Sequence, residues 1–104
     1  MIATFPRLSD HYRATIRATV REVFGPEVRV WLFGSRVDAT ARGGDIDLLV
    51  ESPTPIADRE RKTLRCLARL QMRLGEQPID LLVLDPLVAR LPIHAEALRT
   101  GLML

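Results

Sequence analysis

Cysteine is almost absent from this chain of 104 residues: Cys66 stands alone, so neither an internal disulfide nor a cysteine-built zinc site can form. Aromatic residues are nearly as scarce, with three Phe, one Tyr and one Trp. The core must therefore rest on Leu, Val, Ile and Ala. No apolar run reaches the ~18 residues that a membrane-spanning helix needs, and Met1 to Asp10 carries no signal-peptide pattern. The expected setting is a reducing cytoplasm with no membrane attachment. An excess of one charge is also missing: 15 basic residues face 13 acidic ones, a net of +2, which by itself points away from direct nucleic-acid binding. Lysine occurs once, at Lys62, and every other basic residue is arginine. What the chain does have is a hydrophobic share of 47%, which suits a folded protein and excludes a disordered one. Its length fits one domain over residues 1–104, without repeats, low-complexity segments or an interdomain linker.

The first strong periodicity follows Ser9, a suitable helix cap. Tyr12, Ile16, Val20 and Phe24 recur at four-residue steps, and Gly25-Pro26 ends the segment. Val28 to Phe33 is β-branched and aromatic, and reads as a strand. Gly34-Ser35 then opens a short helical turn, and Arg42 to Gly44 reads as a loop. Asp45 to Glu51 is a second strand whose apolar run predicts burial on both faces. After the turn Ser52 to Pro55, a helix is expected from about Ala57 to Leu74, with Leu64, Leu67, Leu70 and Leu74 on its buried side. Pro78 to Asp85 reads as a third strand, and Ile93 to Thr100 as a last short helix. The order predicts an α/β fold: a short mixed sheet of three to four strands flanked by helices.

Three features of this order carry chemistry. Gly34 directly after a strand lets the backbone approach a ligand closely, and Ser35 adds a hydroxyl donor at a helix start, a setting that suits phosphate oxygens. Asp45 and Asp47 lie two apart at a strand mouth, so their carboxylates share one face. Neighbouring carboxylates repel and cost energy to desolvate unless a cation neutralises them; oxygen ligands of this kind suit Mg²⁺. Asp80 opens the third strand in the same way, since Ile79-Asp80-Leu81-Leu82-Val83 repeats Ile46-Asp47-Leu48-Leu49-Val50. If the two strands are neighbours, three carboxylates gather. Such a cluster can hold two metal ions ~3.5–4 Å apart around a phosphoryl transfer. Asp80 would also suit orienting or deprotonating an acceptor hydroxyl.

The stretch LFGSRVDATARGGDIDLLV, Leu32 to Val50, resembles the signature of the DNA polymerase β-like nucleotidyltransferase superfamily, and most of all its minimal nucleotidyltransferase (MNT) members. Their pattern of Gly-Ser, a spacer, Asp-x-Asp and a later Asp is met by Gly34, Ser35, Asp45, Asp47 and Asp80, with Arg36 in the place after the Gly-Ser. Two departures stand out. Gly44 occupies a position that is often Ser, and the spacer Arg36 to Gly44 is slightly short.

The resemblance implies a small nucleotidyltransferase fold and transfer of a nucleoside monophosphate, AMP from ATP, to a hydroxyl. Asp45, Asp47 and Asp80 would be the catalytic residues and the ligands of two Mg²⁺ ions, with Gly34 and Ser35 on the phosphates. It also implies a partner: MNT proteins often pair, as antitoxins, with a small helical HEPN-type ribonuclease and modify one of its tyrosines. Others of the family act chiefly by binding, so an idle metal site on a binding antitoxin is the alternative. Transfer to a small molecule such as an aminoglycoside fits less well, because relatives that do so usually carry an additional helical domain.

Other residues have plainer readings. Arg42 lies in the spacer, either as a mobile loop residue or as a clamp on triphosphate oxygens. Arg61, Arg65, Arg69 and Arg73 form one basic stripe and Arg13, Arg17 and Arg21 another. Each is either a solvated face or a dock for an acidic partner, or for RNA held by that partner. His11 and His94 have no metal-spaced companion and read as structural, Asp85 before Pro86 as a turn residue, and Cys66 as core. The apolar end Leu102-Met103-Leu104 predicts packing onto a partner or a second copy, so that a homo-oligomer is one expectation.

Overall fold

The computed structural model describes residues 8–34 and 45–104. Helix α1 (Asp10–Phe24) begins where Ser9 Oγ accepts the N–H of Tyr12 at 3.1 Å, and ends at Gly25, whose φ of 98° breaks the spiral. Its buried line is Ile16, Thr19, Val20 and Val23, while Tyr12 and Phe24 are only half-buried. A four-residue step overshoots the helical repeat by about 40°, so the ends of the predicted stripe drift off the buried side.

Strands β1 (Arg29–Phe33), β2 (Ile46–Glu51), β3 (Ile79–Leu84) and β4 (Leu102–Met103) form one mixed sheet in the order β3-β2-β1-β4. β1 runs antiparallel to both β2 and β4, and β2 runs parallel to β3. A parallel pair needs a crossover, and α2 (Arg59–Leu74) supplies it. The side chains of β2 alternate between two cores. Ile46, Leu48 and Val50 join Ile16, Val20, Cys66 and Leu70 beneath α1 and α2. Leu49 joins Leu84 and Ala97 on the opposite face, under α3 (Pro92–Thr100). Helices thus cover both faces, as an apolar run on both sides of a central strand demands. The α/β class and the mixed sheet of three to four strands are what the sequence predicts.

Several expectations are corrected. Leu64 is 68% exposed, because it sits about 200° around the helix from Cys66, and the buried line of α2 is Cys66, Leu70 and Leu74. Helix α2 begins at Arg59 rather than Ala57, since Asp58 just before it adopts a left-handed φ of 52°. The last residues Leu102 to Leu104 pack within the chain: Leu102 and Met103 pair with β1, Leu104 is buried, and its N–H donates to Val30 O at 2.8 Å. The basic stripe on α2 divides. Arg61 and Arg65 are exposed, whereas Arg73 grips both oxygens of Glu22 on α1 at 2.9 Å and Arg69 reaches it at 3.3 Å. Arg73 also donates to the buried Thr19 hydroxyl at 2.9 Å.

The plain readings fit their surroundings. Burial pushes the Cys66 thiol up to about 11, which keeps it a core residue rather than a nucleophile. His94 Nδ1 accepts the Leu91 N–H at 2.9 Å at the start of α3. Asp85 is a turn residue that accepts the Leu87 N–H, but it also accepts the N–H of Ile56, both at 2.9 Å, and so ties the end of β3 to the approach to α2. The Ile56 N–H, with lesser help from Leu87 and Arg59, holds its carboxyl below the usual range. The expected helical turn after β1 falls, apart from Gly34, outside the described residues, as do Ser35, Arg36 and Arg42.

Candidate active site

Register decides where the acidic residues meet. The repeated segments of β2 and β3 pair residue for residue, Ile46 with Ile79, Asp47 with Asp80 and Leu48 with Leu81. Strand alternation turns Asp47 and Asp80 to the α3 face, the side of Leu49 and Leu82. On the other flank of β2, Asp47 stands opposite Phe33, the last residue of β1, so the turn at Gly34 comes directly over it. A hydrogen bond of 3.1 Å from Ile46 N to Pro78 O fastens the mouths of the two strands.

Asp47 and Asp80 stand side by side in the β2–β3 register, close enough for the Asp80 carboxyl to act on that of Asp47. Asp47 is half-buried, and Asp80 and Asp45 are exposed. Asp45 is near enough for its charge to act on Asp47, but among the described residues no three His, Cys, Asp or Glu side chains are gathered as a metal would need them. The fold itself therefore assembles two of the three expected carboxylates. The Asp47 carboxyl is pushed up to about 6, first by burial, then by the neighbouring carboxyl and charge of Asp80, and last by the charge of Asp45. Among the described residues no Lys or Arg pairs with either member.

Gly34 completes the arrangement with φ at +76°. A Cβ added there would collide with Asp47 Oδ2. Sequence reasoning assigned this glycine to close approach by a ligand; the group that approaches it in the structure is the aspartate. No signal in the sequence names that contact, because it depends on the strand pairing that sets Phe33 against Asp47. As a donor set the pair fits a hard divalent cation: anionic oxygens, crowded on one face, with no built-in counter-ion among the described residues.

One consequence concerns stability and pH. A carboxyl whose folded-state pKa lies above its unfolded value penalises the folded protein once it ionises. For Asp47 the penalty is absent below about pH 4, grows between there and about pH 6, and is full above it. Asp47→Asn in chelator-treated protein is therefore expected to be the more stable form at pH 7.5, by roughly 1 kcal/mol after allowance for solvent screening, a rise in Tm of about 4–8 °C. At pH 4 the two melting curves should converge. Thermal denaturation at both pH values checks this, and equal stability at pH 7.5 would refute the strain assigned to the pair.

Comparison with known proteins adds an independent observation. The family model for the nucleotidyltransferase domain matches residues 13–99, from α1 to the last turn of α3. That span includes the Gly34 turn and all three aspartates and leaves β4 outside. Among curated proteins, none matches the chain.

Proposed function

The chain belongs to the nucleotidyltransferase domain family, and from that premise we propose that it transfers AMP from ATP to a hydroxyl, the acceptor being a tyrosine of a small helical HEPN-type partner that it silences as an antitoxin. The observation that carries this reading is the side-by-side pair Asp47 and Asp80 beside Gly34, within the span that the family model matches. Asp45, Asp47 and Asp80 would hold Mg²⁺, and bound metal would supply the positive charge that draws in the triphosphate and steadies the negative charge of the transfer. The chain's own residues do the positioning. The β2–β3 register fixes Asp47 and Asp80 side by side, and Asp80, exposed at the strand mouth, would orient the acceptor hydroxyl. Gly34 lets the backbone after β1 pass over the carboxylates without a side chain between them. Ser35, Arg36 and Arg42 are assigned to the phosphates on sequence grounds.

A second reading has one observation in its favour: among the described residues no three acidic side chains gather as a metal would need them, and Asp45 is exposed outside the Asp47–Asp80 pair. In that case the chain neutralises its partner by covering it, and its nucleotidyltransferase fold serves as a binding surface. Mass spectrometry of the protein incubated with the product of the neighbouring gene, ATP and Mg²⁺ separates the two. A gain of whole AMP units on a tyrosine of the neighbour, lost in Asp45→Asn, supports transfer. A stable complex in which the partner is silenced without any mass gain supports binding.

A further inference from the structure

At the far end of β1 from Gly34, a cavity of about 310 Å³ opens between α1 and the β1–β4 edge. Three arginines line it: Arg17 and Arg21 from α1, and Arg29 from the first position of β1. Glu27 is the one acidic side chain on its wall, and Val20 and Val28 give it an apolar floor. Some of the chain's other helix-borne arginines are paired, whereas Arg61 and Arg65 are exposed without an ion pair among the described residues and do not line this cavity. Arg69 and Arg73 share Glu22, and Arg99 holds Glu96 at 2.8 Å. The side chains of Arg17, Arg21 and Arg29 make no hydrogen bond or ion pair among the described residues. Even Glu51, directly across from Arg29 in the β1–β2 register, forms no ion pair with it.

The helix C-terminus favours a cation at Arg21, but it gives no reason for Arg17 or Arg29. One turn apart, Arg17 and Arg21 are neighbours on the helix surface, with Cβ atoms ~5–6 Å apart, and like charges so placed cost stability unless an anion sits between them. Guanidinium forks match phosphate oxygens in pairs, which an ammonium group cannot do. The volume lies at the lower end of the ~300–1,000 Å³ typical of small-molecule sites.

We propose that this cavity binds a phosphate group, held by Arg17, Arg21 and Arg29, with room on the apolar floor for the body of a small phosphorylated molecule and Glu27 placed to accept a hydrogen bond from it. The site is separate from the aspartates: Arg29 and Phe33 mark opposite ends of β1, about 14 Å apart at ~3.4 Å per residue. It does not depend on the function proposed above. The phosphate can come from free inorganic phosphate or from a nucleoside monophosphate, and the two sources differ in what they demand of the floor.

Isothermal titration of the full chain in EDTA, with inorganic phosphate in one arm and AMP in the other, tests this without metal-assisted binding at the aspartates. Saturable binding is expected, weakened at least tenfold in the Arg17→Gln/Arg21→Gln variant and unchanged in Asp47→Asn. Tenfold tighter binding of AMP than of phosphate would identify a nucleotide as the ligand. Equal affinities would identify phosphate alone. Both support the site. A second measurement needs no variant: amide shifts on adding ligand to the wild type should centre on Glu27 to Val30 and on Met103. No saturable binding in either arm, binding that survives the double substitution in folded protein, or shifts centred elsewhere would overturn the proposal.

Discussion

Asp47→Asn is expected to lower nucleotidyl transfer by about 10³-fold or more while leaving the fold intact, and Asp80→Asn to do nearly the same. The substitution keeps the shape of the side chain and removes its charge, so what it tests is charge. In the structure Asp47 is half-buried, stands beside Asp80 and is pushed up to about 6. A shift of that kind is the signature of a group placed for chemistry rather than for stability. The same substitution that raises stability at pH 7.5 should therefore remove activity. The two carboxylates act as a unit, so the double variant should be little worse than either single one. Single-turnover assays on wild type, both single variants and the double variant, with Tm recorded for each, check all of this. Activity of Asp47→Asn within tenfold of wild type would remove the pair from the catalytic machinery and leave the binding reading standing.

The parts of the fold that were legible in the sequence are those fixed by local patterns. The apolar runs of β2 and β3 and the Gly25 helix stop are of this kind, and each of the elements expected lies within a residue or two of its place. The doubled Ile-Asp-Leu-Leu-Val segment suggests that Asp80 joins the other aspartates if the two strands are neighbours, and the parallel pair meets in register, like against like. Long-range pairing was harder to read. Leu102 and Met103 look like a spare apolar end, and only the free edge of β1 gives them a place. Leu64 looks like core by residue type, but the helical phase that Cys66, Leu70 and Leu74 define turns it outward. The arginine stripes read as uniform in the sequence. In the structure α1 brings Glu22 to Arg69 and Arg73, while Arg17 and Arg21 come to line a cavity without a partner. Within the site the sequence named the aspartates but not their contacts. Which two meet depends on register, and that Gly34 sits against Asp47 depends on where β1 ends.

Gly34→Ala is the second substitution with a large expected effect, and two separate causes contribute to it. The first is conformational: φ of +76° lies in the left-handed region, where a side chain costs about 1–2 kcal/mol. The second is steric, since the new Cβ would collide with Asp47 Oδ2. Relief requires Asp47 to turn away from Asp80 or the backbone after β1 to lift off the sheet, at a further ~1–3 kcal/mol. The sum is roughly 3 kcal/mol, a fall in Tm of about 10–20 °C for a chain of this size. Transfer should fall at least ~10²-fold even at temperatures where the variant is folded, because a misplaced group costs that much by geometry alone. A double-mutant cycle with Asp47→Ala separates the causes. If the collision matters, Gly34→Ala should cost only the conformational ~1–2 kcal/mol in the Asp47→Ala background, leaving a coupling energy of at least 1 kcal/mol. A coupling near zero would mean that the glycine is required for its backbone angle alone, and that the carboxylate beneath it has room to spare.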